Sequence, residues 1–138
     1  SKGVSEGGDV LCGGSRHGDK GYFVRPTVFS NCGPGSTLYK EEIFGPVLVV
    51  NKFNSEDDIV AMANDTIYGL AASVWTQDLS TAHRLAKRIE AGTVWVNCHH
   101  LIDPSLPFGG FKQSGLGREQ SSDGIDLYTE RKAVLMKI

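Results

Sequence analysis

No GxGxxG occurs in the 138 residues, and GGFKQSG lacks the spacing and the terminal Lys-Ser/Thr of a P-loop, so the chain carries no self-contained dinucleotide or phosphate cradle. The three cysteines, Cys12, Cys32 and Cys98, are odd in number and include no CxxC pair. That excludes a closed disulfide framework, gives no zinc signature and fits a reducing cytoplasm. Long apolar runs are missing too: stretches such as Pro46 to Val50 fall far short of the roughly 18 residues of a membrane span. There is no basic run, and 14 Lys and Arg against 16 Asp and Glu leave a net charge of -2, which argues against a nucleic-acid partner. The opening SKGVSEGGDV has neither an initiating methionine nor an apolar signal core, and the chain is expected to be a piece of a longer protein.

What is present suits an ordinary soluble α/β domain. Hydrophobic residues make up 40% and charged residues 22%, against disorder or a collagen-like chain. The length predicts one domain with one core; area scaling gives roughly 7,000 Å² exposed when folded against about 21,600 Å² extended, or about two-thirds buried. Tyr22 to Phe29 reads as a strand placed at an edge, because Pro26 removes a backbone donor. Val47 to Phe53 reads as a strand buried on both faces. Ser55 is the expected N-cap of a helix with Glu56, Asp57 and Asp58 in its first turn and Ile59, Met62 and Ala63 on its apolar stripe. Ala71 to Thr76 is strand-like. A second helix opens near Asp78 or Ser80, carries Ala82, Leu85, Ala86 and Ile89 on one stripe, and meets its stop at Gly92. Thr93 to Asn97 completes a strand, helix, strand, helix, strand series, for which right-handed parallel crossovers are predicted. Lys132 to Ile138 is expected to form a last strand.

From Cys98 to Gly117 periodicity is lost, two prolines and four glycines appear, and the segment reads as a long functional loop. His99 and His100 beside Cys98 and Asp103 resemble metal ligands only superficially, since adjacent side chains at a strand end point in opposite directions; no metal site is predicted. Cys98 has histidines beside it, but a nucleophile needs a base or a positive neighbourhood in space, and a small buried residue is the commoner reading. In EEIFGPV, residues 41 to 47, the paired acids are read either as a solvated turn or as a carboxylate able to accept both hydroxyls of a ribose beside an aromatic that borders a flat ring.

The blocks EEIFGPV, NDTIYGLAASVWT, RIEAGTVWVN and LPFGGFKQSGLGRE, in this order and spacing, resemble the C-terminal third of the aldehyde dehydrogenase superfamily. The resemblance covers Gly21 to the end, and the loop from His100 through LIDPSLPFGG is most similar to phenylacetaldehyde dehydrogenases. It implies an α/β fold with a largely parallel sheet and flanking helices, residues 1–131 forming the C-terminal part of the catalytic domain and 132–138 an oligomerisation strand. Family members oxidise aldehydes to acids with a nicotinamide cofactor, through a cysteine thiolate that forms a thiohemiacetal, hydride transfer, and hydrolysis of a thioester assisted by a glutamate. That cysteine, that glutamate and the dinucleotide-binding domain precede the region resembled here, so no catalytic residue is carried over to this chain.

The resemblance makes Glu42 the residue that holds the nicotinamide-ribose hydroxyls and Phe44 the aromatic bordering the nicotinamide. It makes His100, Ile102 and Phe108 walls of the substrate tunnel; Ile102 stands where many relatives have an aromatic. The implied cofactor is NAD or NADP in the full-length parent, with none bound by this chain alone, because the adenosine end belongs to a domain outside the resemblance. The implied partners are an aldehyde substrate, apolar and arylalkyl, and further copies of the chain through Lys132 to Ile138; no nucleic acid or membrane is expected. The rival expectation is a naturally short, non-catalytic binding or assembly module with the same fold.

Overall fold

Pro26 donates no hydrogen bond, and the ladder it interrupts starts one residue later. In the computed structural model, which describes residues 1–138, the Thr27 amide donates to the Pro46 carbonyl (2.9 Å) and opens a strand over Thr27–Ser30. The chain divides into two units, Ser1–Asp65 and Thr66–Ile138.

The first unit holds a three-stranded sheet in the order β1 (Asp9–Cys12), β2 (Thr27–Ser30), β3 (Val47–Val49), with β1 antiparallel and β3 parallel to β2. The strand expected over Tyr22 to Phe29 is therefore a central strand, displaced past the proline, and it buries Thr27 and Phe29. Residues ahead of Pro26 turn back instead: Arg16 bridges Val24, and the Arg16 guanidinium donates to the carbonyls of Asp19 and Gly21. β3 is shorter than expected and is not covered on both faces, since Leu48 remains 59% exposed. A helical turn α1 (Lys2–Ser5) packs through Gly3 against Leu38 of a second, α2 (Thr37–Lys40); a methyl at Gly3 would lie 2.2 Å from Leu38 Cδ1.

Glu6 staples α2 from outside, its carboxylate accepting from the Thr37 amide (2.7 Å) and hydroxyl (2.6 Å). These bonds, the hydroxyl first, hold the Glu6 carboxyl below the usual glutamate range. The stabilisation is present above the unfolded-state pKa and lost as pH falls through the lowered folded value. Glu6→Gln should therefore flatten the acid limb of the stability curve, read from urea midpoints at neutral and acid pH; an unaltered acid limb would remove Glu6 from that role. The helix α3 (Glu56–Asn64) begins where the sequence places it, with the Asp58 amide donating to Ser55 Oγ (3.1 Å). Val60 carries its buried contact, Ile59 and Met62 flank it half-buried, and Ala63, expected on the stripe, is exposed.

In the second unit β4 (Ala71–Val74) and β5 (Thr93–Val96) pair in parallel, Ala71 opposite Thr93 through Val74 opposite Val96, and α4 (Leu79–Arg88) connects them. The Asp78 carboxylate accepts from the Thr81 amide (2.8 Å) and caps α4, Ala82 is buried, and Leu85, Ala86 and Ile89 are half-buried, so the expected stripe is the packed one. The expected five-element series is split between sheets: β3 pairs with β2, and β4 with β5. Gly92 is not a left-handed helix stop; α4 ends at Arg88 with Ile89 extended, and Gly92 serves as a backbone contact instead. A 3₁₀ turn (Lys112–Ser114) and a helical turn α5 (Asp123–Asp126) follow.

The strand expected at Lys132 to Ile138 does not form within the chain. No strand accepts it, and its side chains are exposed, Leu135 at 99%. The single core is likewise replaced by two small ones, Phe29, Cys32 and Val60 in one unit and Val74, Ala82 and Trp95 in the other. The accessible surface of 10701 Å² exceeds the roughly 7,000 Å² expected of a compact chain of this mass. No helix is long and apolar enough to cross a membrane.

Candidate functional site

Glu42 and Phe44 lie together in the first unit, on the connection between α2 and β3. Glu42 is exposed, and its carboxylate has no hydrogen-bond or ion-pair partner in the chain. Phe44 is 93% exposed and holds a left-handed backbone (φ 53°), a conformation disfavoured for a side chain with a Cβ. Neither placement helps packing. A carboxylate with all its lone pairs available and a bare aromatic face two residues on are suited to a ribose diol and a flat ring. Phe44→Gly, which relieves the left-handed strain and forfeits no buried contact, should stabilise the unit by about 1 kcal/mol. A fall in the urea midpoint would show instead that the ring contributes to folding.

His100, Ile102 and Phe108 lie in the second unit, on the loop that leaves β5. The loop is pinned at its start. The Trp95 indole donates to the Leu101 carbonyl (2.7 Å), and His99 Nδ1 shares a 2.8 Å hydrogen bond with the Ser73 hydroxyl. The His99 ring stands edge-on to Trp95 at 5.3 Å between centroids, and His100, itself left-handed (φ 58°), lies 6.2 Å from the same indole. Asp103 is committed locally: it accepts from the Ser105 amide (2.9 Å) and hydroxyl (2.8 Å), which hold its carboxyl below the usual range. With His99 bonded to Ser73 and Asp103 to Ser105, no three His, Cys, Asp or Glu side chains converge as metal ligands.

Phe108 is half-buried, and its backbone exchanges two hydrogen bonds with Glu119 (2.8 and 2.7 Å). It lines a shallow cavity of about 200 Å³ with Leu70, Ser114, Leu116 and Glu119, a cavity that neither His100 nor Ile102 reaches. The three wall candidates thus share one loop but not one cavity. Beyond Phe108 the GGFKQSG segment zips onto residues 67–69. Phe111 N donates to Gly69 O (2.8 Å), Gln113 N to Ile67 O (2.9 Å), and Gly69 N to Ser114 Oγ (2.9 Å). Arg118 donates to the carbonyls of Gly110 and Gly117 and lies over the Phe111 ring, 5.2 Å from its centroid. The sequence drew attention to His99 only as an apparent metal ligand, and its bond to Ser73, the Trp95 tie and the glycine contacts were not anticipated; the available signal was an aromatic and an Asn closing an alternating strand just before the aperiodic loop.

A profile of the aldehyde dehydrogenase family matches residues 1–134. The chain belongs to the aldehyde dehydrogenase family. Aldehyde dehydrogenase 1A1 of Mesocricetus auratus is 53% identical over 136 residues, covering 99% of this chain and 27% of its own length. Among solved aldehyde dehydrogenases, the NAD+ complex from Bacillus cereus superposes with a TM-score of 0.90 at 51% identity, over 94% of this chain and 26% of that one. The AldA indole-3-acetaldehyde dehydrogenase of P. syringae, in complex with NAD+ and IAA, superposes with a TM-score of 0.93 at 44% identity, over 99% of this chain and 28% of that one. The α/β fold is thus that of aldehyde dehydrogenases, and the chain spans about a quarter of the length of its family relatives.

Proposed function

We propose that this chain is the C-terminal part of the catalytic domain of a cytoplasmic, NAD-dependent aldehyde dehydrogenase that oxidises an apolar, arylalkyl aldehyde to the carboxylic acid. Family membership at half identity over nearly the whole chain carries this reading, and the NAD+ complexes among its relatives favour NAD. The arylalkyl assignment is supported by the apolar side chains of Leu101, Ile102, Leu106 and Phe108 on the loop, and by the likeness to a protein named for indole-3-acetaldehyde. Bound NAD supplies the hydride acceptor. Glu42 accepts the hydroxyls of the nicotinamide ribose, Phe44 borders the ring, and His100, Ile102 and Phe108 wall the aldehyde path. The nucleophile comes from elsewhere in the parent, and Cys12, Cys32 and Cys98 do not supply it.

The test is kcat/KM for phenylacetaldehyde against betaine aldehyde in the full-length parent, with a preference of tenfold or more for the arylalkyl substrate expected. Preference for the cationic aldehyde would overturn the substrate class. Lys132 to Ile138, exposed and unpaired here, forms an intermolecular edge with a second copy in this reading. Deleting it should shift the parent to smaller species by light scattering, and an unchanged mass would remove it from assembly.

A further inference from the structure

At Asn97 the parallel ladder ends and a side chain takes it over. The Asn97 amide still donates to the Val74 carbonyl (2.8 Å), one step past the Val74 and Val96 pair. Its carboxamide then reaches the Thr76 backbone on both sides, Oδ1 accepting from Thr76 N–H (2.9 Å) and Nδ2 donating to Thr76 C=O (2.8 Å). The two bonds reproduce what a further strand residue would make. They leave the Asn97 backbone free to turn left-handed (φ 54°), which sends the chain off the sheet into the loop that carries His100, Ile102 and Phe108. Three side-chain ties hold the loop entry: Asn97 to Thr76, His99 to Ser73, and Trp95 to Leu101. A polar side chain that spends both ends of its amide on the two peptide groups flanking one residue, Thr76, does little for the core; it fixes a direction.

We propose that Asn97 is a positioning residue whose two-bond clasp on the Thr76 backbone sets the path of the 98–108 loop and thereby the discrimination between bulky and small aldehydes. The inference rests on the substrate-wall reading of that loop and names the residue that holds the wall in place. Bound aldehyde touches the loop and not Asn97, so loss of the clasp blurs selection more than it slows a small substrate that needs no wall.

The experiment compares Asn97→Gly and Asn97→Asp in the full-length parent with NAD, using phenylacetaldehyde and acetaldehyde. Glycine keeps the left-handed turn and removes both bonds. Aspartate keeps the acceptor for Thr76 N–H and loses the donor. Asn97→Gly should lose tenfold or more in kcat/KM for phenylacetaldehyde, mostly through KM, and less than threefold for acetaldehyde, with the KM for NAD within twofold. Asn97→Asp should show the same ordering at smaller size, and it serves where the glycine variant does not fold. Amide exchange at Thr76, whose N–H loses its Oδ1 acceptor, should quicken at least tenfold in Asn97→Gly while α4 keeps its protection. Wild-type selectivity with Asn97→Gly would mean that the residue serves only its backbone angle, and an equal loss on both aldehydes would mean a general fold defect; either overturns the proposal. A wild-type parent inactive on both aldehydes would overturn the proposed function and the discrimination with it, an outcome distinct from an active parent whose variants match it.

Discussion

Gly92→Ala is expected to unfold the Thr66–Ile138 unit, with a loss of about 3 kcal/mol or more. A Cβ at position 92 would lie 1.7 Å from the Gly109 carbonyl oxygen and 2.8 Å from its carbon. Both are backbone atoms, so no side chain can swing aside. The Gly92 amide meanwhile donates to Gly69 O (3.0 Å), and β5 starts at the next residue, so any retreat of Gly92 disturbs the β5 ladder. Retreat of Gly109 is blocked in turn, since its own Cβ direction runs to Gly117 O at 2.6 Å and to the Arg118 side chain. Three backbone segments meet where only glycines fit. Gly35→Ala, with nothing within 4 Å of the added methyl, is the control and should shift stability by no more than about 0.5 kcal/mol. Urea melts check both, followed by the fluorescence of Trp75 and Trp95 for Gly92→Ala and by far-UV circular dichroism for Gly35→Ala, whose unit holds no tryptophan; Gly92→Ala melting with the wild type would show that the close approach is absent in solution.

Glu42→Gln in the full-length parent is expected to slow the hydride step on the order of a hundredfold, because an ångström of misplacement at a reacting ring costs about that much. The neutral amide presents one acceptor oxygen and a donor where the carboxylate presents two acceptors, so it can hold one ribose hydroxyl and not both in the same way. NAD affinity should change less than the rate, since the proposed contact orients one end of a large ligand. Single-turnover formation of NADH separates the two effects. A hydride step left at the wild-type rate would return Glu42 to the plainer reading, an acid on a solvated turn, which its exposed and partnerless carboxylate also satisfies.

Local chemistry made the two long helices, α3 and α4, legible, though not the short turns α1, α2 and α5. Ser55 and Asp78 cap where their short side chains and the following periodicity say they should, because a cap needs nothing beyond three residues of its own helix. Features set by distant chain were not legible. Pro26 correctly signalled a missing donor, but whether the strand beyond it lies at an edge or in the middle depends on β1 and β3, which flank it. Gly92 carried the signal of a helix stop, while its actual constraint comes from Gly109, seventeen positions on in the sequence. Alternation in Lys132 to Ile138 signals a strand, yet a strand exists only where a neighbour accepts its hydrogen bonds, and none in this chain does. At the site, composition alone left Glu42 balanced between turn and ligand, and the family resemblance decided the reading. Asn97 escaped because a carboxamide clasp on a backbone twenty-one positions away has no local pattern.

In the proposed function the chain supplies cofactor-ribose and substrate-wall contacts to a dehydrogenase whose nucleophile lies elsewhere in the parent. The most direct measurement is NADH formation when this chain alone, and separately the full-length parent, is mixed with NAD and phenylacetaldehyde. Sustained NADH is expected from the parent and none above a blank from the chain alone; sustained NADH from the chain alone would contradict that division of labour and make Cys98 the first residue to test as a nucleophile.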